Sequence, residues 1–302
     1  MLTLGKDPAF VTHFVRNLRG GSQPILARAS DGFLYVVKFA NNLQGPNLLF
    51  NEGAGSELYH ACGLPVPKWR PLVVSDSFLD KNPECWMQTP EGHLRPASGL
   101  CFGSRFLGGN GKRILEILPG SMFKRVRNQM SFWLAWLIDV FAEHVDNRQA
   151  IFEEGADGWL DAYFIDHGHL FGGPNADSKR HFRASRYLDR RIYGQVSSET
   201  LLDFQNVLHA LDADRLRQRI EAIPAEWSHV SACEGFERCL QRLKMGSLVQ
   251  HVVETIISDR GRREETESGI AGSEWKSAFE VLRPGLHRGG FRRRFAHPPN
   301  CA

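Results

Sequence analysis

The feature that most constrains the fold is a change of pattern near residue 124. Before this point, short β-rich runs are separated by turns; after it, longer apolar segments with helical spacing predominate. The runs 24–29 and 33–39 flank Asp31-Gly32, a pairing typical of a tight turn between antiparallel strands. The sequence therefore predicts an α+β chain in which most strands come first.

The remaining predicted elements alternate in the same way. One helix is expected between residues 47 and 61, because its apolar positions have near-helical spacing and Gly63 follows it. Further strands are predicted at 69–74 and 100–107, separated by a polar, proline-containing loop. The second half is predicted to contain a buried helix at 126–143, a strand pair at 150–153 and 162–165, and helices near 200–210, 214–222 and 234–257.

This order of elements predicts a bilobal arrangement. Residues 1–107 form the expected β-rich N-terminal lobe with one helix, and residues 108–258 form a mainly helical C-terminal lobe. Residues 259–302 are polar and rich in Gly, Arg and Glu, which predicts a disordered tail. A cleft between the lobes is expected beside residues 107–111.

Composition excludes several classes of protein. The net charge of +3 on 302 residues is too small to indicate nucleic acid or a membrane surface as a partner. The most apolar stretch, 132–142, is about half a membrane span and contains Asp139. The first residues do not have the pattern of a secretory signal, and the six cysteines lack metal-ligand spacing. We therefore expect a soluble, cytoplasmic protein with reduced thiols.

Lys38 is the first candidate for chemistry. It ends the apolar run 35–39, and strand alternation directs it to the same face as Val36. A lysine that faces inward needs an anionic partner, because a lone buried ammonium is costly. The next predicted helix offers two carboxylates, Glu52 and Glu57, and the sequence leaves the choice open. A strand lysine held by a helix glutamate is the arrangement with which protein kinases contact ATP phosphates.

A glycine-containing turn precedes the predicted hairpin. Gly20 and Gly21 allow backbone N–H groups to approach a phosphate, and Ser22 adds a hydroxyl donor. This turn stands one hairpin before Lys38, where kinases have their phosphate-covering loop. The polar turn that begins at Gln44 is a second candidate to border the cleft.

The most specific cluster follows the buried helix. Asp146-Asn147-Arg148 and, beyond a predicted hairpin, Asp166 both stand where a regular element ends in a polar turn. Phosphoryl transfer needs one carboxylate to orient or deprotonate the acceptor hydroxyl and another to hold Mg²⁺. Asp146 suits the first role and Asp166 the second, and Arg148 belongs to the same candidate catalytic set.

Together these segments resemble the HipA-like kinase family. The resemblance extends over residues 10–175 and is carried by 14–22, 35–39, 51–52, 63–67, 145–148 and 165–168. It implies a protein-kinase-like fold and transfer of the ATP γ-phosphate to a hydroxyl, with a protein serine or threonine as the expected acceptor. It also implies that Lys38 contacts ATP phosphates, that Asp146 is the catalytic base and that Asp166 binds Mg²⁺. Phe106 and Leu107 fall where the segment between the lobes holds adenine.

One position departs from the family pattern. The metal-binding asparagine normally stands five residues after the catalytic aspartate, and here that residue is Ile151. Asn147 and Gln149 are the candidates to replace it. If neither does, the second metal site is missing, and Ile151 supports the alternative of a nucleotide-binding pseudokinase or scaffold.

A metal-dependent hydrolase is a further alternative. His144, His167 and His169, together with Asp146 and Asp166, provide a set of transition-metal ligands. Lys38 and its glutamates have no role in such an enzyme, which favours the kinase interpretation.

Overall fold

The computed structural model describes residues 8–108, 112–175, 186–247 and 249–254. Residues Met1–Val253 group into one compact unit. The tail predicted at 259–302 lies outside the described residues. Nowhere in the described ranges is a helix long and apolar enough to cross a membrane. The five cysteines in these ranges are free thiols.

Two sets of elements build the described part of the chain. The strands are β1 (Ala9–Asn17), β2 (Ile25–Ala29), β3 (Leu34–Lys38), β4 (Trp69–Val74), β5 (Met87–Thr89), β6 (Gly92–Leu94), β7 (Gly99–Arg105), β8 (Arg113–Leu115), β9 (Gln149–Glu154) and β10 (Leu160–Ile165). The helices are α1 (Leu48–Ala61), α2 (Asp76–Lys81), α3 (Ser131–Phe141), α4 (Ser198–His209), α5 (Ala213–Ile220) and α6 (Val230–Lys244).

Five of the first strands close into a barrel in the order β1-β2-β3-β7-β4. The predicted hairpin at Asp31-Gly32 is confirmed, because β2 and β3 pair antiparallel with Ile25 opposite Val37. The strands predicted at 69–74 and 100–107 correspond to β4 and β7, which are also antiparallel neighbours. Side chains that include Ile25, Val37 and Leu72 fill the interior of the barrel and are fully buried.

Two features of the barrel region differ from the prediction. The strand β1 was not predicted, because Phe10 and Val15 are apolar yet exposed and obscure the alternation of its buried positions. The segment between β4 and β7 is not a simple loop, since it contains α2 and the β5–β6 hairpin.

The helix α1, which was predicted at 47–61, is buried on nearly every side. Its closest neighbour is the 3₁₀ turn His167–His169, and two glycines allow the approach. A Cβ atom on Gly55 would lie 2.5 Å from the Cβ of His167, and one on Gly168 would lie 2.3 Å from Leu48. Asn51 fastens this contact by donating its amide to the carbonyl oxygens of Gly168 and Leu170, at 3.0 and 2.8 Å.

The helix α3 leads into a second sheet, ordered β10-β9-β8. The predicted strand pair is confirmed as the antiparallel hairpin β9–β10. However, α3 begins at Ser131 and not at residue 126, because Asn128 is bound to the backbone of β10. Its side-chain amide donates to the carbonyl of Ala162 and accepts the N–H of the same residue, both at 2.9 Å. The predicted helices 200–210 and 214–222 correspond to α4 and α5. The helix predicted at 234–257 is observed as α6 over Val230–Lys244 and, beyond a break at Met245, as helical residues 246–247 and 249–254.

Candidate active site

Lys38 ends β3 and is buried against two carboxylates. Its ammonium donates to Glu52 Oε1 and to Asp166 Oδ1, the second at 2.7 Å. The choice between the two glutamates is thereby resolved in favour of Glu52. Glu57 instead accepts a hydrogen bond from the Trp69 indole at 3.0 Å and pairs with Arg219 at 2.8 Å.

Lys38 and the two carboxylates shift one another's pKa values. Burial lowers the pKa of Lys38, but the charges of Asp166 and Glu52 outweigh it, and the pKa ends above its ordinary value. Burial raises the pKa of Asp166, but the Lys38 ammonium brings it well below the ordinary range. Burial also raises the pKa of Glu52, against the opposing effect of Lys38. We conclude that Lys38 is charged and Asp166 ionised at neutral pH.

The backbone after β10 is shaped to present Asp166. This residue has a φ of 61°, in the left-handed region that non-glycine residues adopt at a cost of about 1 kcal/mol. Both carboxylate oxygens are fixed, since Lys38 binds Oδ1 and the Gln149 amide donates to Oδ2 at 2.6 Å. Glu52 accepts the backbone N–H groups of His167 and Gly168, at 3.2 and 3.0 Å, so α1 also holds this turn.

Asp146 follows α3 and reaches solvent, with 46% of its side chain exposed. Its Oδ1 accepts the backbone N–H of Asn147 at 2.7 Å. Its Oδ2 lies 3.9 Å from His169 Nε2. His144 Nδ1 lies 2.7 Å from the backbone carbonyl of Asp146 and donates to it. A carboxylate that is oriented and accessible can accept a proton from a bound hydroxyl.

Burial, helped by the nearby charge of Arg148, lowers the pKa of His144 to about 4. Its ring is therefore neutral when it holds the Asp146 carbonyl at neutral pH.

The glycine turn directly precedes the β2–β3 hairpin, as the sequence indicated, and it connects β1 to β2. Asn42 donates to the Ser22 carbonyl at 2.8 Å, and Gln23 exchanges two hydrogen bonds with the backbone of Gln88. On its inner side, a Cβ atom on Gly21 would lie 2.7 Å from the side-chain nitrogen of Gln44. The turn is thus held from both sides.

Neither Gln44 nor His169 had a predicted role in the kinase interpretation: Gln44 was expected only in a turn beside the cleft, and His169 only among the ligands of the hydrolase alternative. The side-chain nitrogen of Gln44 lies 3.2 Å from His169 Nε2, so these two residues connect the glycine turn to the neighbourhood of Asp146. The sequence feature that pointed to Gln44 was the polar turn that begins at this residue. For His169, its place three residues after Asp166 was the signal.

The Arg148 side chain does not reach the solvent-accessible part of the site around Asp146. Its side chain is 1% exposed and forms a two-point ion pair with Asp139, with contacts of 2.9 and 2.6 Å. A third nitrogen donates to the carbonyl of Ile165 at 3.0 Å. The predicted catalytic arginine is therefore placed where it supports the backbone beside Asp166.

The two candidates for the missing asparagine occupy different places. Gln149 is the first residue of β9 and pairs with Ile165, next to Asp166. Asn147 is exposed, and its backbone N–H donates a hydrogen bond to the Asp146 carboxylate. Ile151 shares a face of β9 with Gln149 but lies opposite Tyr163, about 7 Å further along the strand.

The segment predicted to hold adenine follows the end of β7. The backbone N–H of Phe106 donates to the carbonyl of Leu34 at 2.9 Å, which ties the segment to the start of β3. Phe106 and Leu107 are both half-buried, whereas residues 109–111 lie outside the described ranges.

The histidines do not support the hydrolase alternative. In the described residues, no three His, Cys, Asp or Glu side chains are arranged to hold a metal ion. His167 accepts an N–H from Arg148 at 3.4 Å, and burial lowers its pKa well below the ordinary value. The oxygen donors suit Mg²⁺ better, since this ion takes one or two carboxylates and completes its coordination with phosphates and water. Asp166 offers a carboxylate of this kind, and the Gln149 amide contacts it through its nitrogen.

Comparison with known proteins supports this fold. No protein-family model and no curated protein matches the sequence. The crystal structure of the Helicobacter pylori proinflammatory kinase CtkA is similar, with a TM-score of 0.50 and 12% identity over 82% of this chain and 99% of that chain. The Golgi casein kinase has a TM-score of 0.46 and 14% identity over 83% of this chain and 73% of its own. Its structure with Mn/ADP bound gives 0.44 and 13% identity over 82% and 74%. The similarity to CtkA shows that the chain has a kinase-like fold.

Proposed function

We propose that this protein is an ATP-dependent phosphotransferase, most similar in type to the HipA-like serine/threonine kinases. One observation carries the proposal: Lys38, Glu52 and Asp166, which come from three separate segments, meet in one buried cluster. A structural ion pair needs only one carboxylate. A lysine that binds both a helix glutamate and an aspartate after a strand matches the arrangement that kinases use for phosphates and metal.

In this proposal each part of the cluster has one task. Lys38 binds the ATP phosphates, and Glu52 holds its ammonium in place. The glycine turn contributes to phosphate binding through the backbone N–H groups of Gly20 and Gly21 and through the hydroxyl of Ser22. Phe106 and Leu107 hold the adenine ring.

Asp166 and Gln149 would hold Mg²⁺ through a carboxylate and an amide oxygen. The bound ion supplies charge neutralisation on the phosphate oxygens. Asp146 orients the acceptor hydroxyl and accepts its proton. Its exposed position, in contrast to that of the half-buried Asp166, suits a group that must meet a second substrate.

The expected acceptor is the hydroxyl of a protein serine or threonine, as the resemblance implies. CtkA, which shares the fold, is described as a proinflammatory kinase. Arg148 is proposed to act on the fold and not on the substrate, because its guanidinium is paired with Asp139 in the core.

A pseudokinase is the second candidate, because Ile151 stands where the family pattern has its asparagine. Such a protein binds nucleotide through Lys38 but transfers no phosphate. The two candidates differ in one measurable quantity, the phosphate that the wild-type protein transfers: an active kinase transfers it in a way that depends on Asp146, and a pseudokinase transfers none.

The test uses purified protein, Mg²⁺ and γ-labelled ATP, and it follows labelled protein, released phosphate and ATP binding in one sample. We expect Asp146→Ala to abolish transfer with ATP affinity retained, and Asp166→Ala to abolish transfer and weaken Mg²⁺-dependent ATP binding. Asp203→Ala, at an exposed position of α4, is the matched control and should behave as wild type.

Full activity in the Asp146→Ala variant would contradict the mechanism. Binding without transfer in the wild type would leave a pseudokinase and a missing acceptor as the two explanations, and no ATP binding would overturn both candidate functions.

A further inference from the structure

The segment between β4 and β7, residues 75–98, is anchored to the barrel. It contains α2 and the β5–β6 hairpin. Phe78 and Leu79 of α2 are buried in the core of the barrel. Arg95, which follows β6, pairs with Asp80 of α2 at 2.7 Å, so the two ends of the segment are also connected to each other.

Gln23 joins this segment to the glycine turn. Its side-chain Oε1 accepts the backbone N–H of Gln88 at 2.7 Å, and its Nε2 donates to the carbonyl of the same residue at 2.8 Å. Since both backbone groups of Gln88 face Gln23, they point away from His93, its neighbour in the β5–β6 hairpin. The Gln23 amide therefore occupies the free edge of β5, as the backbone of a further strand would.

Gln23 also belongs to the turn itself. Its backbone N–H donates to the carbonyl of Gly20 at 3.1 Å, which closes the turn around Gly21 and Ser22. Its φ of 43° lies in the left-handed region, which a residue with a side chain adopts at a cost. The two hydrogen bonds to Gln88 thus hold the residue whose backbone closes the turn.

Two further side-chain amides bind the same segment. Asn17, at the end of β1, donates to the carbonyl of Glu84 at 2.7 Å. Asn41, just after β3, donates to the carbonyl of Arg95 at 3.1 Å and accepts the N–H of Ala97 at 2.8 Å. The amides of Asn17, Gln23 and Asn41 all bind backbone groups, so these contacts do not depend on which side chains the segment carries.

We propose that residues 75–98 are a strap that holds the glycine turn in its phosphate-binding position, and that Gln23 is the positioning residue that joins the two. This inference rests on the proposed function. A turn that is free to move loses conformational entropy when its N–H groups gather around a phosphate. The strap orders the turn before the nucleotide arrives, so the affinity that it adds is confined to ligands that carry phosphates.

The first experiment tests the strap without nucleotide, by NMR on the full chain. We expect Gln23→Asn to speed amide exchange at Gln88 by roughly 3- to 10-fold, as the loss of an ordinary hydrogen bond implies. Asparagine tolerates the left-handed backbone but is too short to bind both groups of Gln88. The ¹⁵N order parameters of Gly20 and Gly21 should fall from about 0.85, the value of rigid backbone, towards 0.6. Gln241→Asn, at an exposed position of α6, is the matched control.

The two readouts test different steps. An unchanged exchange rate at Gln88 would overturn the contact between Gln23 and the strap. Faster exchange at Gln88 with unchanged order parameters in the turn would overturn the positioning role.

The second experiment compares the binding of ATP with Mg²⁺ and of adenosine by calorimetry. We expect Gln23→Asn to weaken ATP binding by roughly 3- to 10-fold and to leave adenosine binding unchanged, because adenosine has no phosphate for the turn to hold. A general loss of structure would weaken the binding of both ligands alike, so this comparison separates positioning from stability.

Equal ATP affinity in wild type and Gln23→Asn, or an equal loss for both ligands, would overturn the role of the strap in phosphate binding. A wild-type protein that binds neither ligand would instead overturn the proposed function, and the order parameters would then decide whether the strap holds the turn.

Discussion

At the residue scale, the cluster around Lys38 contains one ammonium and two carboxylates. Glu52 and Asp166 both bind Lys38, so with both carboxylates ionised the three groups carry a net negative charge. Buried charge that is not balanced is costly, and a cation that shares the Asp166 carboxylate would relieve it. The cluster therefore favours a divalent ion beside Asp166.

Gln149 is the residue expected to share that ion, because it stands beside Asp166. We expect Gln149→Ala to weaken Mn²⁺ binding in the nucleotide complex by about tenfold, or 1.4 kcal/mol, as measured by electron paramagnetic resonance. Gln149→Asn should retain part of the affinity, because an amide oxygen remains. Asn147→Ala is the matched control, and a larger loss in that variant would assign the ion to Asn147.

Adding Ile151→Asn to Gln149→Ala should not restore Mn²⁺ binding, since residue 151 lies about 7 Å further along β9 than Gln149. Restoration would show that the family spacing applies to this chain after all.

Arg148 leads to a prediction about stability. Arg148→Met leaves the Asp139 carboxylate buried beside the Tyr59 hydroxyl without its cation, and we expect a loss of about 3–5 kcal/mol in the free energy of unfolding. The double variant Arg148→Met/Asp139→Leu removes both charges and should recover much of this loss. Urea unfolding measures both values. A single variant as stable as wild type would show that the ion pair is dispensable.

Some of these residue roles were readable from the sequence and others were not. Lys38 was predictable because strand alternation forces it inward, where it needs an anion. The partner of Arg148 was harder to identify, although a lone Asp139 inside an apolar helix is a signal that a buried cation exists nearby. The choice between Glu52 and Glu57 depends on which face of α1 meets the 3₁₀ turn, and this contact joins residues more than 100 positions apart.

At the scale of elements, α1 determines the position of Glu52. Gly55→Ala would place a Cβ atom 2.5 Å from His167 and from Leu170, so the helix must move away from the turn that follows Asp166. We expect a loss of about 1–3 kcal/mol in stability and weaker ATP binding, because Glu52 moves with the helix. His60→Ala, near the half-exposed end of the same helix, is the control. Unchanged ATP affinity in Gly55→Ala would show that the position of α1 does not affect nucleotide binding.

Local sequence patterns explain which elements were predicted correctly. The hairpins β2–β3 and β9–β10 combine short runs with clear turns, and α1 has an unambiguous glycine stop. The start of α3 was misplaced because Asn128 binds the backbone of β10, a pairing over 34 residues that local spacing does not contain.

At the scale of the whole molecule, the neutral buried histidine makes stability depend on pH. The pKa of His144 is about 4 in the folded chain and near 6.5 in the unfolded chain. Below pH 6.5 the unfolded state takes up a proton that the folded state does not, so the contribution is present above 6.5 and is lost as the pH falls towards 4. We expect roughly 2 kcal/mol of this loss between pH 7.5 and 5.

Urea unfolding of wild type and His144→Asn at both pH values checks this expectation. Asparagine can still donate to the Asp146 carbonyl but does not titrate, so the variant should lose less stability on acidification. An identical pH dependence in the two proteins would contradict the assignment.

The closed barrel has a consequence for how an acceptor can be recognised. In an open five-stranded sheet, two edge strands would present unpaired N–H and C=O groups to extended peptides. Here β1 pairs with β4 at Ala9–Leu72 and Phe10–Val73, which closes the described strands of this sheet into a barrel at that seam. A protein substrate cannot join this sheet as an added strand. An acceptor would therefore be recognised by side chains and loops around the site, or by the outer strands of the β10-β9-β8 sheet, and both can change without altering the barrel.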